Sequence, residues 1–236
     1  MTCSYDDVLF DDLNLYPKVR VIEQIGLIPP IREAEINPED RDGAIHQKTE
    51  YDARPFDIPC FIACDSQKEQ EEKLFEVLDL FWPPREARLI LLEELPDRFI
   101  NCKLNGKISI GNDPNYYDIV IPLIALDPFF YSLDEHEEVG GGTYENAGNQ
   151  DAYPVFSIVG SVVAPEITVN GESTIYTGTV SPSDVLVIDT KARTIKFNGF
   201  NAEKFFNKRY PLFKPGDNVV TVSGGTLTIT WRDCWL

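Results

Sequence analysis

Four carboxylates late in the chain, Glu166, Glu172, Asp184 and Asp189, are the groups from which acid–base chemistry would have to be built. Glycoside hydrolysis needs two such groups facing each other across the scissile bond, one to protonate the leaving oxygen and one to act as base or nucleophile. No spacing among these four places a pair in that way. Asp189 has a simpler use. In VLVIDTKARTIKF, residues 185–188 and 194–197 read as strands, and Asp189 stands where the TKAR turn begins, where a carboxylate accepts backbone N–H bonds. The hairpin accounts for the acid without catalysis.

Metal chemistry finds no better footing. The five cysteines, Cys3, Cys60, Cys64, Cys102 and Cys234, are odd in number and mostly scattered, which suits a reduced compartment better than a disulfide framework. Cys60 and Cys64 invite a zinc reading, but zinc takes about four ligands. A second Cys pair is missing, and His46 and His136 stand at ligand spacing from nothing else. Tyr176, Trp231 and Trp235 offer rings that stack on sugars, yet Trp231 shares one strand face with Leu227 and Ile229, as a core residue does. No catalytic, cofactor or metal residue is assigned.

These side chains must be carried by strands, with one exception. In SQKEQEEKLFEVLDLFWPP, Ser66 and Glu69 have capping-box spacing, Leu74, Leu78 and Phe81 recur at helical intervals, and Pro83-Pro84 ends the run, so a helix is expected over about 66–82. In RPFDIPCFIAC, Phe56, Ile58, Cys60, Ile62 and Cys64 share one apolar face, which makes the cysteines core residues, and Pro59 suggests an edge position. FINCKLNGKISIG reads as a hairpin turning at Asn105-Gly106, ITVNGESTIYTG as another at Asn170-Gly171, and VVTVSGGTLTITW as two strands paired across SGG. The Gly- and Asn-rich stretch 140–152 reads as a linker. It separates an N-terminal β-sheet domain with one helix, 1–139, from a C-terminal β-sandwich, 153–236.

Charge divides the chain in a similar place. The net charge is −18; residues 1–146 hold 31 acids against 13 Lys and Arg, and 147–236 hold 8 of each. Direct nucleic-acid binding is excluded as a class, because it needs a basic surface to replace counterions. No run reaches the ~18–20 apolar residues of a membrane span, and the start is acidic where a signal peptide is basic. The chain is expected to stay in the cytoplasm that makes it, without membrane insertion.

Taken in order, RPFDIPCFI, LDPFFYSL, PVFSIVGSVVAPEITVNG, VLVIDTKARTIKFNGFN, YPLFKPGDNVVTVSGG and ITWRDCWL resemble the distal tail protein (Dit) family of siphoviruses, the phages with long non-contractile tails. The resemblance runs over nearly the whole chain. It implies a mainly β fold: a ring-forming first domain and a galectin-like sandwich outside it, six copies closing into the baseplate hub at the tail tip. One face of the ring would meet the tail tube protein, the other the tail-associated hub or lysin protein, with receptor-binding proteins held at the periphery. DNA would pass through the channel without specific binding, and the virion part would be assembled in the bacterial cytoplasm. The family is structural, so no enzyme activity or cofactor is implied. The short second part, about 90 residues, and its short loops such as GTVSPSDV argue against direct host adsorption. The competing reading is a carbohydrate-binding module for the host cell wall. If the ring forms, the densest acids for its lumen are Asp6, Asp7, Asp11, Asp12 and the cluster Asp134, Glu135, Glu137 and Glu138.

Overall fold

A computed structural model describes residues 8–11, 13–14, 20–21, 29–36, 45–63, 66–82, 85–91, 95–111 and 116–236. The chain forms two compact units that divide between Phe130 and Tyr131. The described residues are mainly strand, with one α-helix. None of their helices is long and apolar enough to cross a membrane.

The first unit contains β1 (Val8–Phe10), β2 (Leu13–Asn14), β3 (Arg20–Val21), β4 (Ile31–Ile36), β5 (Ile45–Tyr51), β6 (Arg54–Ala63), α1 (Gln67–Leu80), β7 (Ala87–Leu91), β8 (Leu95–Leu104), β9 (Ser109–Ile110) and β10 (Tyr116–Ala125). Its main sheet runs β2-β1-β7-β8-β10-β6-β3, and β4 pairs with β5 apart from it. The longest pairing is β6 against β10, in register from Arg54↔Ala125 to Ala63↔Tyr116. Strand alternation sends Phe56, Ile58, Cys60 and Ile62 into the core, each at 3 % exposure or less. The edge position suggested by Pro59 is corrected: among the described strands the two-residue β3 pairs with β6 at Phe61 and Cys60, so β6 lies one short strand in from the edge. Helix α1 begins as expected, with Ser66 Oγ accepting from the Glu69 N–H at 3.3 Å. It buries Val77, and the Phe81 ring that follows lies 4.6 Å from that of Phe10. Arg54 is fully buried, its guanidinium 4.8 Å from the Phe130 ring, and burial lowers its pKa to about 10.

One hairpin is corrected. β8 and β9 do not pair with each other across Asn105-Gly106; both pair with β10. Only Gly106 has positive φ there, so the type I′ geometry that needs two such residues is not formed. The Asn105 N–H instead donates to Pro122 O at 2.8 Å.

The boundary strand β11 (Phe130–Ser132) leads into β12 (His136–Val139), β13 (Gly142–Asn146), β14 (Val155–Val159), β15 (Val162–Val163), β16 (Glu166–Val169), β17 (Glu172–Ile175), β18 (Thr179–Val180), β19 (Val185–Asp189), β20 (Thr194–Phe197), β21 (Phe200–Asn201), β22 (Gly216–Val222), β23 (Thr226–Trp231) and β24 (Cys234–Trp235). A six-stranded sheet, β12-β23-β14-β19-β20-β21, and a four-stranded sheet, β13-β22-β16-β17, make a galectin-like β-sandwich. Alternate residues of both fill its core: Phe156, Ile158, Leu186, Ile188, Leu227 and Ile229 from one sheet, and Ile167, Val169 and Val220 from the other.

Three expectations change here. The stretch 140–152 is not an open linker, because its residues 142–146 are β13, paired with β22 from Gly142↔Val220 to Asn146↔Gly216. The runs on either side of SGG do not pair; β22 belongs to the four-stranded sheet and β23 to the six-stranded one. Gly225, at φ +77, makes that crossing possible, since a Cβ there would stand 2.9 Å from Val159 O. The acids Asp134, Glu135, Glu137, Glu138 and Glu145 lie in the second unit, so residues 1–130 carry −13 and 131–236 carry −5.

Candidate functional site

The carboxylates singled out by type are spent on local structure. Asp189 Oδ1 accepts from the Ala192 N–H at 2.8 Å, and β19 and β20 pair up to Asp189↔Thr194, which is the hairpin corner read from the sequence. Asp184 accepts from Asn198 Nδ2 at 2.8 Å and from the Ser181 N–H at 2.9 Å, and these bonds hold its pKa below the usual value. The two acids end opposite sides of the five-residue β19, roughly 16 Å apart at strand rise. Glycosidase pairs sit about 5–9.5 Å apart. Glu166 and Glu172 stand at opposite ends of the β16–β17 hairpin, in the other sheet.

The cysteines and histidines are equally dispersed. Cys60 and Cys102 are buried, and burial pushes both thiols up to about 12. Cys3 and Cys64 lie outside the described residues. His46 is opposite Glu35 in the β4–β5 pair. His136 stacks on Trp231 at 4.7 Å, with Nε2 3.0 Å from Asp233 Oδ2. Among the described residues no three His, Cys, Asp or Glu side chains come together as a metal site.

The aromatic platforms also move. Trp231 and Tyr176 are buried, and Trp235 is half-buried. In the second unit the exposed rings are Phe200, at 78 %, and Phe205, at 48 %. With Tyr176, Phe197, Asn198 and Asn201 they line an apolar cup of about 310 Å³ at β21. The Tyr176 and Phe197 rings stack at 5.9 Å beneath it, and Asn198-Gly199 turns β20 into β21 with both residues at positive φ. Among the described strands β21 pairs only with β20, and it closes one edge of the six-stranded sheet.

The opposite edge is β12, also paired on one side only among the described strands. A groove of about 250 Å³ opens between it and β13, lined by His136, Glu138, Tyr144, Glu145, Trp231 and Asp233. Beneath it Tyr144 of one sheet meets Trp231 of the other at 5.6 Å. Two buried amides that the sequence left without a role fasten this end of the sandwich. Asn146 Nδ2 donates to Gln150 O and Phe213 O, while its Oδ1 accepts from the Gly148 and Cys234 N–H groups. Asn218 does the same for the Lys-Pro-Gly turn, accepting from the Lys214 N–H and donating to Lys214 O and Gly216 O, all at 2.8 Å. Both amide side chains are fully buried, and these bonds satisfy their donors and acceptors.

The second unit is therefore a scaffold whose six-stranded sheet ends in the open edges β12 and β21, with no assembled set of reactive groups among the described residues. Comparison with known proteins identifies the scaffold. Residues 147–235 match the model of the siphovirus-type tail component, C-terminal domain, and residues 21–125 match the phage tail protein RIFT-related domain. The chain belongs to the siphovirus distal tail proteins. No curated protein matches it by sequence. Among solved structures it is similar to the SPP1 Dit (gp 19.1) protein, described as a paradigm of the hub adsorption apparatus of phages infecting Gram-positive bacteria. That likeness has a TM-score of 0.83 and 13 % identity, over 99 % of this chain and 100 % of the other. It is also similar to chains of the phage P2 baseplate in its activated conformation with Ca and with Sr, each with a TM-score of 0.51 and 8 % identity over 97 % of this chain and 98 % of the other.

As a distal tail protein the chain is a structural component of the phage tail and baseplate. The matched C-terminal region begins at residue 147, after β12 and β13, although both strands belong to the second unit. Those two strands supply one edge of each of the two sandwich sheets of this distal tail protein.

Proposed function

We propose that six copies of this distal tail protein close into a ring that joins the tail tube to the tail-tip apparatus and leaves a channel for DNA. The observation that carries the reading is the order of two tail-protein regions in one chain, 21–125 and then 147–235. The partners of the ring are the tail tube protein on one face, the tail-associated hub or lysin protein on the other, and receptor-binding proteins at the periphery.

Charge supports the channel. The first unit carries −13, so six copies bring a large excess of carboxylate to the ring. Acid facing the lumen repels phosphate and keeps the genome from sticking as it leaves. Asp11 of the expected lumen set is ion-paired with Arg85, and Asp6, Asp7 and Asp12 lie outside the described residues. The cluster 134–138 belongs to the second unit and is withdrawn from that set.

Negative-stain microscopy and mass photometry of the purified full chain test the ring. A six-fold particle supports the reading; a strict monomer at micromolar concentration overturns it. For the channel, phage whose lumen acids are reversed to Lys should assemble but eject DNA more slowly, with the defect easing as salt shortens the Debye length below about 10 Å. Ejection at the normal rate in low salt would remove the electrostatic role.

A further inference from the structure

Three Asn-Gly pairs occur in the chain, at 105–106, 170–171 and 198–199. Such a pair can react with itself, because glycine has no Cβ to shield its nitrogen or restrain its backbone. All three glycines have positive φ and open space where a Cβ would stand, and all three asparagines are exposed, so neither crowding nor burial separates the pairs. Hydrogen bonds separate them. Asn170 Nδ2 donates to Asn218 Oδ1 at 2.7 Å, and its Oδ1 accepts from the Val219 N–H at 2.9 Å. Asn198 is held in the same way: its Nδ2 donates to Asp184 Oδ1 and its Oδ1 accepts from the Val185 N–H, both at 2.8 Å. The Asn105 side chain makes no hydrogen bond among the described residues. Its backbone N–H is bound to Pro122 O, and the Gly106 N–H that follows donates to no backbone carbonyl among those residues.

We propose that Asn105-Gly106 is a self-modification site, which loses its side-chain amide while the other two pairs keep theirs. The Gly106 nitrogen bonds to Asn105 Cγ and gives up its proton, the Cγ–Nδ2 bond breaks, and the departing nitrogen takes that proton and leaves as ammonia. Water then adds to one of the two carbonyls of the cyclic imide and opens it, leaving an aspartate or an isoaspartate at 105. Water is the only other reactant. At 170 and 198 the carboxamide must first turn away from both its partners before Cγ can reach the glycine nitrogen. Each bond is net favourable, so losing two lowers the attacking population about tenfold or more. The product lies between Lys103 and Lys107 and adds one negative charge to the connection between β8 and β9, both of which pair with β10. An isoaspartate also lengthens the main chain there by one carbon. The site belongs to the single chain and does not rest on the ring.

Ageing the purified full chain in mildly alkaline buffer, followed by peptide mapping with mass spectrometry, tests the site. We expect the peptide carrying Asn105 to gain acid about tenfold or more faster than those carrying Asn170 and Asn198. In guanidinium the folded hydrogen bonds are gone, and the three rates should fall within a few-fold of one another. Asp184→Ala removes one of the two bonds on Asn198 and should speed that pair several-fold while leaving Asn105 unchanged; a thermal melt checks that the variant stays folded. Asn105→Gln, whose ring closure needs one more carbon, should stop acid formation at 105. Equal rates at the three pairs in the folded chain, or an amide that persists at 105, overturn the assignment. The same tenfold order in guanidinium, or no acceleration of Asn198 in the folded Asp184 variant, overturns the hydrogen-bond account of it.

Discussion

Replacing Asn218 by Ala should destabilise the second unit. The side chain is fully buried and makes four short bonds: Lys214 N and Asn170 Nδ2 donate to its Oδ1 at 2.8 and 2.7 Å, and its Nδ2 donates to Lys214 O and Gly216 O at 2.8 Å. Each intramolecular bond is worth about 0.5–1.5 kcal/mol net, so the four sum to about 2–6 kcal/mol. The partners Lys214, Gly216 and Asn170 are themselves exposed, and water takes up part of what they lose. That places the cost near the lower end, about 2–3 kcal/mol. Asn218→Asp should cost at least as much, because it keeps the acceptor, loses both donors and sets a carboxylate against two carbonyl oxygens. Urea unfolding followed by tryptophan fluorescence reads both variants, with the exposed Asn105→Ala as a control expected within about 0.5 kcal/mol of the parent. If Asn218→Ala also stays within about 0.5 kcal/mol, the turn is held by its backbone alone and the reasoning fails.

Four further outcomes are expected. Gly216 has φ +86 and open space where a Cβ would stand, so Gly216→Val costs backbone strain alone, about 1–3 kcal/mol, and an unchanged denaturation midpoint would mean the strain is absent. A fragment beginning at residue 131 should give a cooperative melt and one beginning at 147 a lower or absent one, because the shorter fragment lacks β12 and β13; equal melting temperatures would make those edge strands dispensable. The Asp184 carboxyl is held below its usual value by Asn198 and Ser181, so its contribution is present above the unfolded pKa and is lost as pH falls through the folded one. Asp184→Asn should therefore shrink the drop in melting temperature between pH 6 and about pH 3, and an unaltered pH profile would contradict this. The Cys60 and Cys102 thiols, both buried and raised to about 12, should resist iodoacetamide at pH 8 until the protein unfolds, whereas prompt labelling of either would refute their burial.

What the amino-acid sequence determined by itself was local and periodic. Ser66 with Glu69 announces the start of α1, because a capping bond joins residues three apart. The alternation of Phe56, Ile58, Cys60 and Ile62 announces a strand with one buried face, because the side-chain period of a strand is two. Asn170-Gly171 and Asp189 announce their turns, because positive φ and an acceptor at a corner are satisfied within a few residues. Tertiary structure decided which strand lies beside which. The period of two says which face is buried and nothing about the neighbour, so β8 and β9 could both turn to β10, and SGG could carry the chain between sheets. It also recruited β13 from a stretch rich in Gly and Asn, whose backbone bonds to β22 need no apolar pattern to form. Asn146 and Asn218 gained their roles only when distant backbone was brought around them, since an amide's value depends on partners that composition does not name.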